Sequence, residues 1–250
     1  MKFLYKSSHI KPDLLFLLRA FIHLMALQSL FRGILLWRNS ELGTAIPSNE
    51  IVQSFFVGMR FDLIMTAYVM IPLVLTLLHP AGIRKKWATI WLTFVAVVFT
   101  FFAIVELDFY HEFHVRLNSL AFQYIKEDTG TVLSMIWYGF PVVRYLLLVA
   151  VISSLFYFTL SRSHKGVTEQ AERASSYAIR LGIFCLVAAS TVLAGRGTLR
   201  QGPPLRWGDA FHSEYLFANH LALNGSFTLT KALISEFKYD KQHQWLKKMP

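Results

Sequence analysis

Five apolar stretches, each about as long as a helix needs to cross a bilayer, dominate this chain. A hydrocarbon core about 30 Å thick is spanned by roughly 20 helical residues. Runs of that length lie near 13–37, 61–79, 87–107, 139–160 and 177–195. An open sheet leaves its backbone unsatisfied in lipid, and the runs lack the alternation of a membrane barrel. The reading is therefore an all-α membrane protein with five transmembrane helices and amphipathic interfacial helices. Composition agrees, since 54% of the 250 residues are hydrophobic and only 16% are charged. The first run contains Arg19 and His23 and has no small-x-small cleavage pattern, so it is a retained helix rather than a secretory signal.

The net charge of +10 is met most simply by loops that face anionic lipid, and nucleic acid is not expected as a partner. Lys2, Lys6 and Lys11 precede the first run, Arg84, Lys85 and Lys86 separate the second from the third, and Arg162, Lys165 and Arg173 follow the fourth. All three groups fall on one side, which the positive-inside rule makes cytoplasmic. The N-terminus is then inside and the C-terminus outside. Residues 1–195 form the transmembrane domain and 196–250 an extracytoplasmic juxtamembrane segment of linker helices. Cys185 is the single cysteine, so no intrachain disulfide is available.

Outside, three regions carry polar chemistry. Residues 38–60 have a turn-forming centre at Gly43–Ser48, then an apolar stretch read as a short interfacial helix, and close on Arg60-Phe61-Asp62. Charges at that depth need partners, which an Arg60–Asp62 pair or an interhelical pair would supply. In the second region Asp108, Glu112 and Arg116 recur every four residues with His111 beside them, a polar stripe if the third helix continues beyond Leu107. Phe109, Phe113, Leu117 and Leu120 line a neighbouring face, and Lys126–Gly130 closes the segment. Asp108, His111, Glu112 and His114 include metal-ligating types, but His-Glu-x-His is one residue short of the zinc-protease spacing, so no metal is assigned.

The third region, Gly195–Asn224, joins Arg196, Arg200 and Arg206 with Gly, Pro and Trp. Pro203-Pro204 stops helix, Asp209 reads as the N-cap of a helix reaching Leu223, and Gly225 reads as its stop. Ser226 then reads as the cap of a second helix, with Leu229, Leu233 and Phe237 on its apolar side. Asn224-Gly225-Ser226 matches the glycosylation sequon, a pattern short enough to arise by chance. Guanidinium forks match phosphate oxygens, so Arg60, Arg116, Arg196 and Arg200 are the candidate lipid-headgroup contacts. Asp62, Asp108, His111 and Glu112 form the candidate polar network that orients them.

Taken together, Arg60-Phe61-Asp62, Asp108-Phe109-Tyr110 with Glu112-Phe113, Arg116 and Asn118, and Gly195-Arg196-Gly197-Thr198 carry a resemblance that continues through Trp207-Gly208-Asp209-Ala210, Ala218-Asn219 and Leu221-Ala222-Leu223-Asn224-Gly225. Through them the chain resembles the membrane region of the lipoteichoic acid synthase family, sulfatase-like phosphoglycerol transferases of bacterial envelopes. The resemblance implies a multi-pass protein of the bacterial cytoplasmic (inner) membrane that binds an anionic phospholipid, which in that family is phosphatidylglycerol. It also implies an extracytoplasmic catalytic domain that holds manganese or another divalent metal and a threonine nucleophile. No motif of that domain occurs in these 250 residues, so no catalytic residue and no cofactor is assigned here. The expected role is to position such a domain, which could be separately encoded. The alternative is a non-enzymatic lipid-sensing or scaffold protein that regulates envelope synthesis through a partner. A small transporter, suggested by Arg19, His23, Arg32 and Arg144 within the runs, is disfavoured because long side chains near helix ends snorkel to the interface.

Overall fold

The computed structural model describes residues 11–79, 83, 85–117, 129–162 and 177–246. Among them there are helices and no strands. Five helices are long and apolar enough to cross a membrane, which makes this a multi-pass membrane protein. They are α1 (Lys11–Arg38), α3 (Ser48–Leu75), α4 (Lys85–Phe113), α6 (Val142–Arg162) and α7 (Tyr177–Arg196). The short α2 (Ser40–Thr44) links α1 to α3, and α5 (Thr129–Gly139) precedes α6. Beyond the fifth span come a 3-10 turn at Trp207–Ala210, α8 (Leu216–Ala222) and α9 (Gly225–Leu246).

Helix α3 is the hub, packing on α1, α7 and α8, while α4 packs on α1 and α6. The reason lies in its small and polar residues. Ser54, Gly58, Asp62 and Thr66 recur every four positions and are buried, so one face of α3 lets neighbouring backbones approach closely. Helix α6 buries Val149, Ser153, Phe156 and Leu160, a single stripe, and leaves Leu146, Leu147, Leu148, Val151 and Leu155 exposed for lipid. Pro72 removes a backbone donor near the end of α3, and the helix tightens into a 3-10 turn at Thr76–Leu78.

Several boundaries differ from the sequence reading. The stretch expected as a separate interfacial helix before residue 61 is the first part of α3 itself. The third span runs past Leu107 to Phe113, where His114 takes a left-handed φ of 52° and its N–H bonds the Tyr110 carbonyl at 2.8 Å. That turn breaks the expected Asp108–Glu112–Arg116 stripe and sends Arg116 inward. The fourth run is one helix, α6, which starts at Val142 because Phe140-Pro141 separates it from α5. Asp209 caps only the 3-10 turn, accepting the Arg206 N–H at 2.6 Å, and the following helix begins at Leu216. Gly225 opens α9 rather than stopping α8. Its N-cap is Asn224, not Ser226, because Asn224 Oδ1 accepts the Phe227 N–H at 3.0 Å. On α9, Leu229 is buried as expected, but Leu233 and Phe237 are exposed and Thr228 and Ala232 complete the buried face. Of the residues used for orientation, Lys2, Lys6, Arg84, Lys165 and Arg173 lie outside the described residues, as do Asn118, Leu120, Lys126 and the closing Lys247–Pro250.

The ends of α1, α4 and α7 and the starts of α3 and α6 share one end of the bundle, here the upper end. There Phe61, Ile64, Leu205, Ala210, Ala222, Leu223 and Phe227 form a small apolar core that seals the post-α7 segment onto α3. Phe61 and Phe227 meet edge to face at 5.0 Å.

A buried joint and a basic rim

Two polar residues of α1 and two of α3 face each other inside the upper half of the bundle. Gln28 and Arg32 lie one turn apart, as do Asp62 and Thr66, so each pair shares a face. Arg32 is 4% exposed and Asp62 is fully buried. Their pairing is bidentate, with Nη1 to Oδ2 at 2.5 Å and Nη2 to Oδ1 at 2.8 Å. Gln28 Nε2 donates to Thr66 Oγ1 at 2.9 Å. Asn224 completes the group by donating through Nδ2 to Asp62 Oδ1 at 2.7 Å and to Gln28 Oε1 at 2.8 Å. A charge pair away from water is tolerable only with such dense hydrogen bonding.

The second half of the arrangement is built by α4 and the turn after it. Arg116 reaches back to Glu106, Nη1 to Oε2 at 2.9 Å, and both are buried. Its Nε donates to the His220 carbonyl at 2.8 Å and its Nη2 to the Leu223 carbonyl. Arg32 Nε donates to the Leu221 carbonyl at 3.0 Å. The carbonyls at and just beyond the end of α8 are thus bound by two guanidinium groups, with the His220 carbonyl also accepting the Leu223 N–H. Asn224 caps the start of α9, and Glu106 lies against Gly225 at that same N-terminus, where the helix dipole favours negative charge. Cations at the end of one helix and an anion at the start of the next fasten Leu221–Gly225 to the spans.

His220 shares this joint. Its Nδ1 lies 3.0 Å from Tyr110 Oη, and burial together with the nearby Arg116 charge pushes the imidazole down to about 4. Unfolded, the ring titrates near 6.5. Between those values the unfolded chain binds the proton and the native chain does not, so native stability is full above about pH 6.5 and falls as pH drops toward about 4. The expected loss is roughly 1.4 kcal/mol per pH unit at most. Thermal unfolding of the detergent-solubilised protein across that window should show the slope, and His220→Gln should flatten it.

The candidate headgroup residues divide into two places. Arg60, Arg196 and Arg200 gather around the turn that ends α7. Gly197, at φ 69°, has the left-handed conformation that favours glycine, and a Cβ there would meet Ile64 Cδ1 at 2.5 Å. Arg60 Nε donates to the Gly197 carbonyl at 3.2 Å, so its partner is this turn and not Asp62. Arg196 Nη2 donates to the carbonyls of Arg200 at 3.0 Å and Gly202 at 2.6 Å, while Arg200 and Arg206 are exposed. Arg116 is elsewhere, with all three side-chain nitrogens engaged at the joint. The expected network likewise separates. Asp62 pairs with Arg32, Asp108 pairs with Arg38, and His111 and Glu112 are exposed on the last turn of α4. Among the described residues no three His, Cys, Asp or Glu side chains converge to hold a metal ion.

The residues that sequence reasoning missed are Gln28, Glu106, His220 and Asn224, with Arg32 considered only as a snorkelling cation. The signal was present: polar side chains one turn apart in each of two apolar helices mark an interior site by default. No known protein family, curated protein or solved structure matches this chain.

Proposed function

We propose that this chain is the membrane module of an envelope phosphoglycerol transferase of the lipoteichoic acid synthase type. In this reading it resides in the bacterial cytoplasmic membrane with its upper end outside. It binds an anionic phospholipid, phosphatidylglycerol, at the rim formed by Arg60, Arg196 and Arg200, and it positions a catalytic domain that supplies the metal and the nucleophile. The observation that carries the reading is the division of labour at the upper end. Arg32 and Arg116 are consumed in fastening the segment after the fifth span, which is what a mount for another domain requires. Arg200 and Arg206 remain exposed beside the α7 terminus, where an anionic headgroup would gain about 1 kcal/mol per arginine. The residues of this chain supply binding and orientation, and no chemical step is assigned to them.

Phosphatidylglycerol retention by the purified chain in nanodiscs, read by native mass spectrometry, tests the rim. Replacing Arg196 and Arg200 together with alanine should lower retention about tenfold or more; retention equal to that of the parent chain would remove the headgroup role. A second reading, a non-enzymatic lipid-sensing or scaffold protein, is favoured by the exposed Leu233, Ile234 and Phe237 on α9, which a partner protein could cover. Cross-linking in native membranes that finds only lipid against that face would eliminate it.

A further inference from the structure

A second binding place lies between α1 and α4, apart from the basic rim. Leu27 and Phe31 of α1 and Phe99 and Ala103 of α4 wall a semi-enclosed cavity of about 40 Å³, whose polar end holds Glu106, Arg116 and Ser226. One water-sized group needs roughly 10–15 Å³ of such space, so the cavity has room for about three and a hydroxymethyl group fits. Glu106 is 5% exposed; its Oε2 pairs with Arg116 and the Leu117 N–H also bears on the carboxylate, yet Oε1 has no hydrogen bond of its own. A buried carboxylate oxygen left in that state is costly, and what it lacks is a donor. The four charged groups around the joint, Arg32, Asp62, Arg116 and Glu106, sum to zero, so an incoming anion would meet the carboxylate with no uncompensated cation to offset it.

We propose that this cavity receives the free hydroxyl of a neutral glycerolipid such as a diacylglycerol. The hydroxyl donates to Glu106 Oε1 and can accept from Ser226, and the lipid's apolar body follows the slot between α1 and α4. The site is chemically distinct from the rim, since it selects a hydroxyl donor rather than an anion, and it stands whether or not the rim binds phosphatidylglycerol.

The test uses the full chain in phosphatidylcholine nanodiscs doped with dioleoylglycerol or with its O-methyl ether, which has the same body and no donor. The alcohol should be retained about tenfold or more over the ether, the loss expected when a charged acceptor goes unpaired. Ala103→Phe, which narrows the slot and removes no member of either ion pair, should abolish that preference while thermal unfolding confirms a folded chain. Should that variant not fold, the alcohol-to-ether ratio in the parent chain decides alone. Equal retention of alcohol and ether, or retention of neither because the cavity holds only water, overturns the proposal. The Arg196→Ala, Arg200→Ala double variant should keep the diacylglycerol preference even where it loses phosphatidylglycerol, so the two sites fail separately.

Discussion

Asp62→Ala should destabilise the bundle by on the order of 3–5 kcal/mol, the loss expected when one member of a buried pair is removed and the other is left charged and unpaired. Asp62 is fully buried and accepts two bonds from Arg32 and one from Asn224. Arg32→Ala should cost a similar amount for a different reason, because it also frees the Leu221 carbonyl and loosens the end of α8. The two effects should not add. An Arg32→Met, Asp62→Leu double variant, which removes both charges and keeps apolar volume, should recover much of the loss, since buried pairs often contribute little beyond an apolar replacement. Thermal unfolding in one detergent for these proteins, with the Arg32→Ala, Asp62→Ala double variant closing the cycle, measures the coupling. Single variants within 1 kcal/mol of the parent, or strict additivity, would show that the pair does not hold the joint.

The spans were legible because apolar length is a direct physical requirement of the bilayer, and all five appear, the second extended N-terminally to Ser48. Their ends were less so. Little local in Phe113-His114-Val115 announces a left-handed turn, since histidine adopts one more readily than most residues but far less than glycine, yet that turn decides whether Arg116 lies on the surface or inside. The joint was hidden for another reason. Gln28, Asp62, Glu106, Arg116 and Asn224 come from four separate parts of the chain, and only tertiary packing joins them. Spacing within one helix could indicate that Asp62 needed a partner. It could not choose between Arg60, two residues away, and Arg32 on another helix. Helical geometry favours the distant residue, because positions two apart point to different faces while Arg32 approaches across the α1–α3 contact. Leu223-Asn224-Gly225 reads locally as a helix end followed by a stop. A side chain that caps α9 and also reaches Asp62 makes the same short sequence a start.

Gly58→Ala separates this packing from helix propensity, because the two predict opposite signs. In an unconstrained helix interior the change should stabilise by about 1 kcal/mol. Here a Cβ on Gly58 would lie 2.4 Å from both Cζ and Nε of Arg32 and 2.7 Å from its Nη2. The head of a long side chain can usually step aside, but this one is held by both oxygens of Asp62 and by the Leu221 carbonyl. Moving it breaks those bonds, so the substitution should destabilise by roughly 1–3 kcal/mol, the range for overfilling a packed interior. Gly225→Ala poses the same conflict at the other ion pair, with a Cβ placed 1.7 Å from Glu106 Oε2. The sign should revert when the obstructing head is removed. In an Arg32→Met background Gly58→Ala should become neutral or stabilising, and in a Glu106→Ala background Gly225→Ala should lose its penalty. Thermal unfolding of each glycine variant alone and in its paired background gives both couplings, and a higher midpoint for Gly58→Ala in the parent chain would mean that Arg32 does not occupy the space against α3.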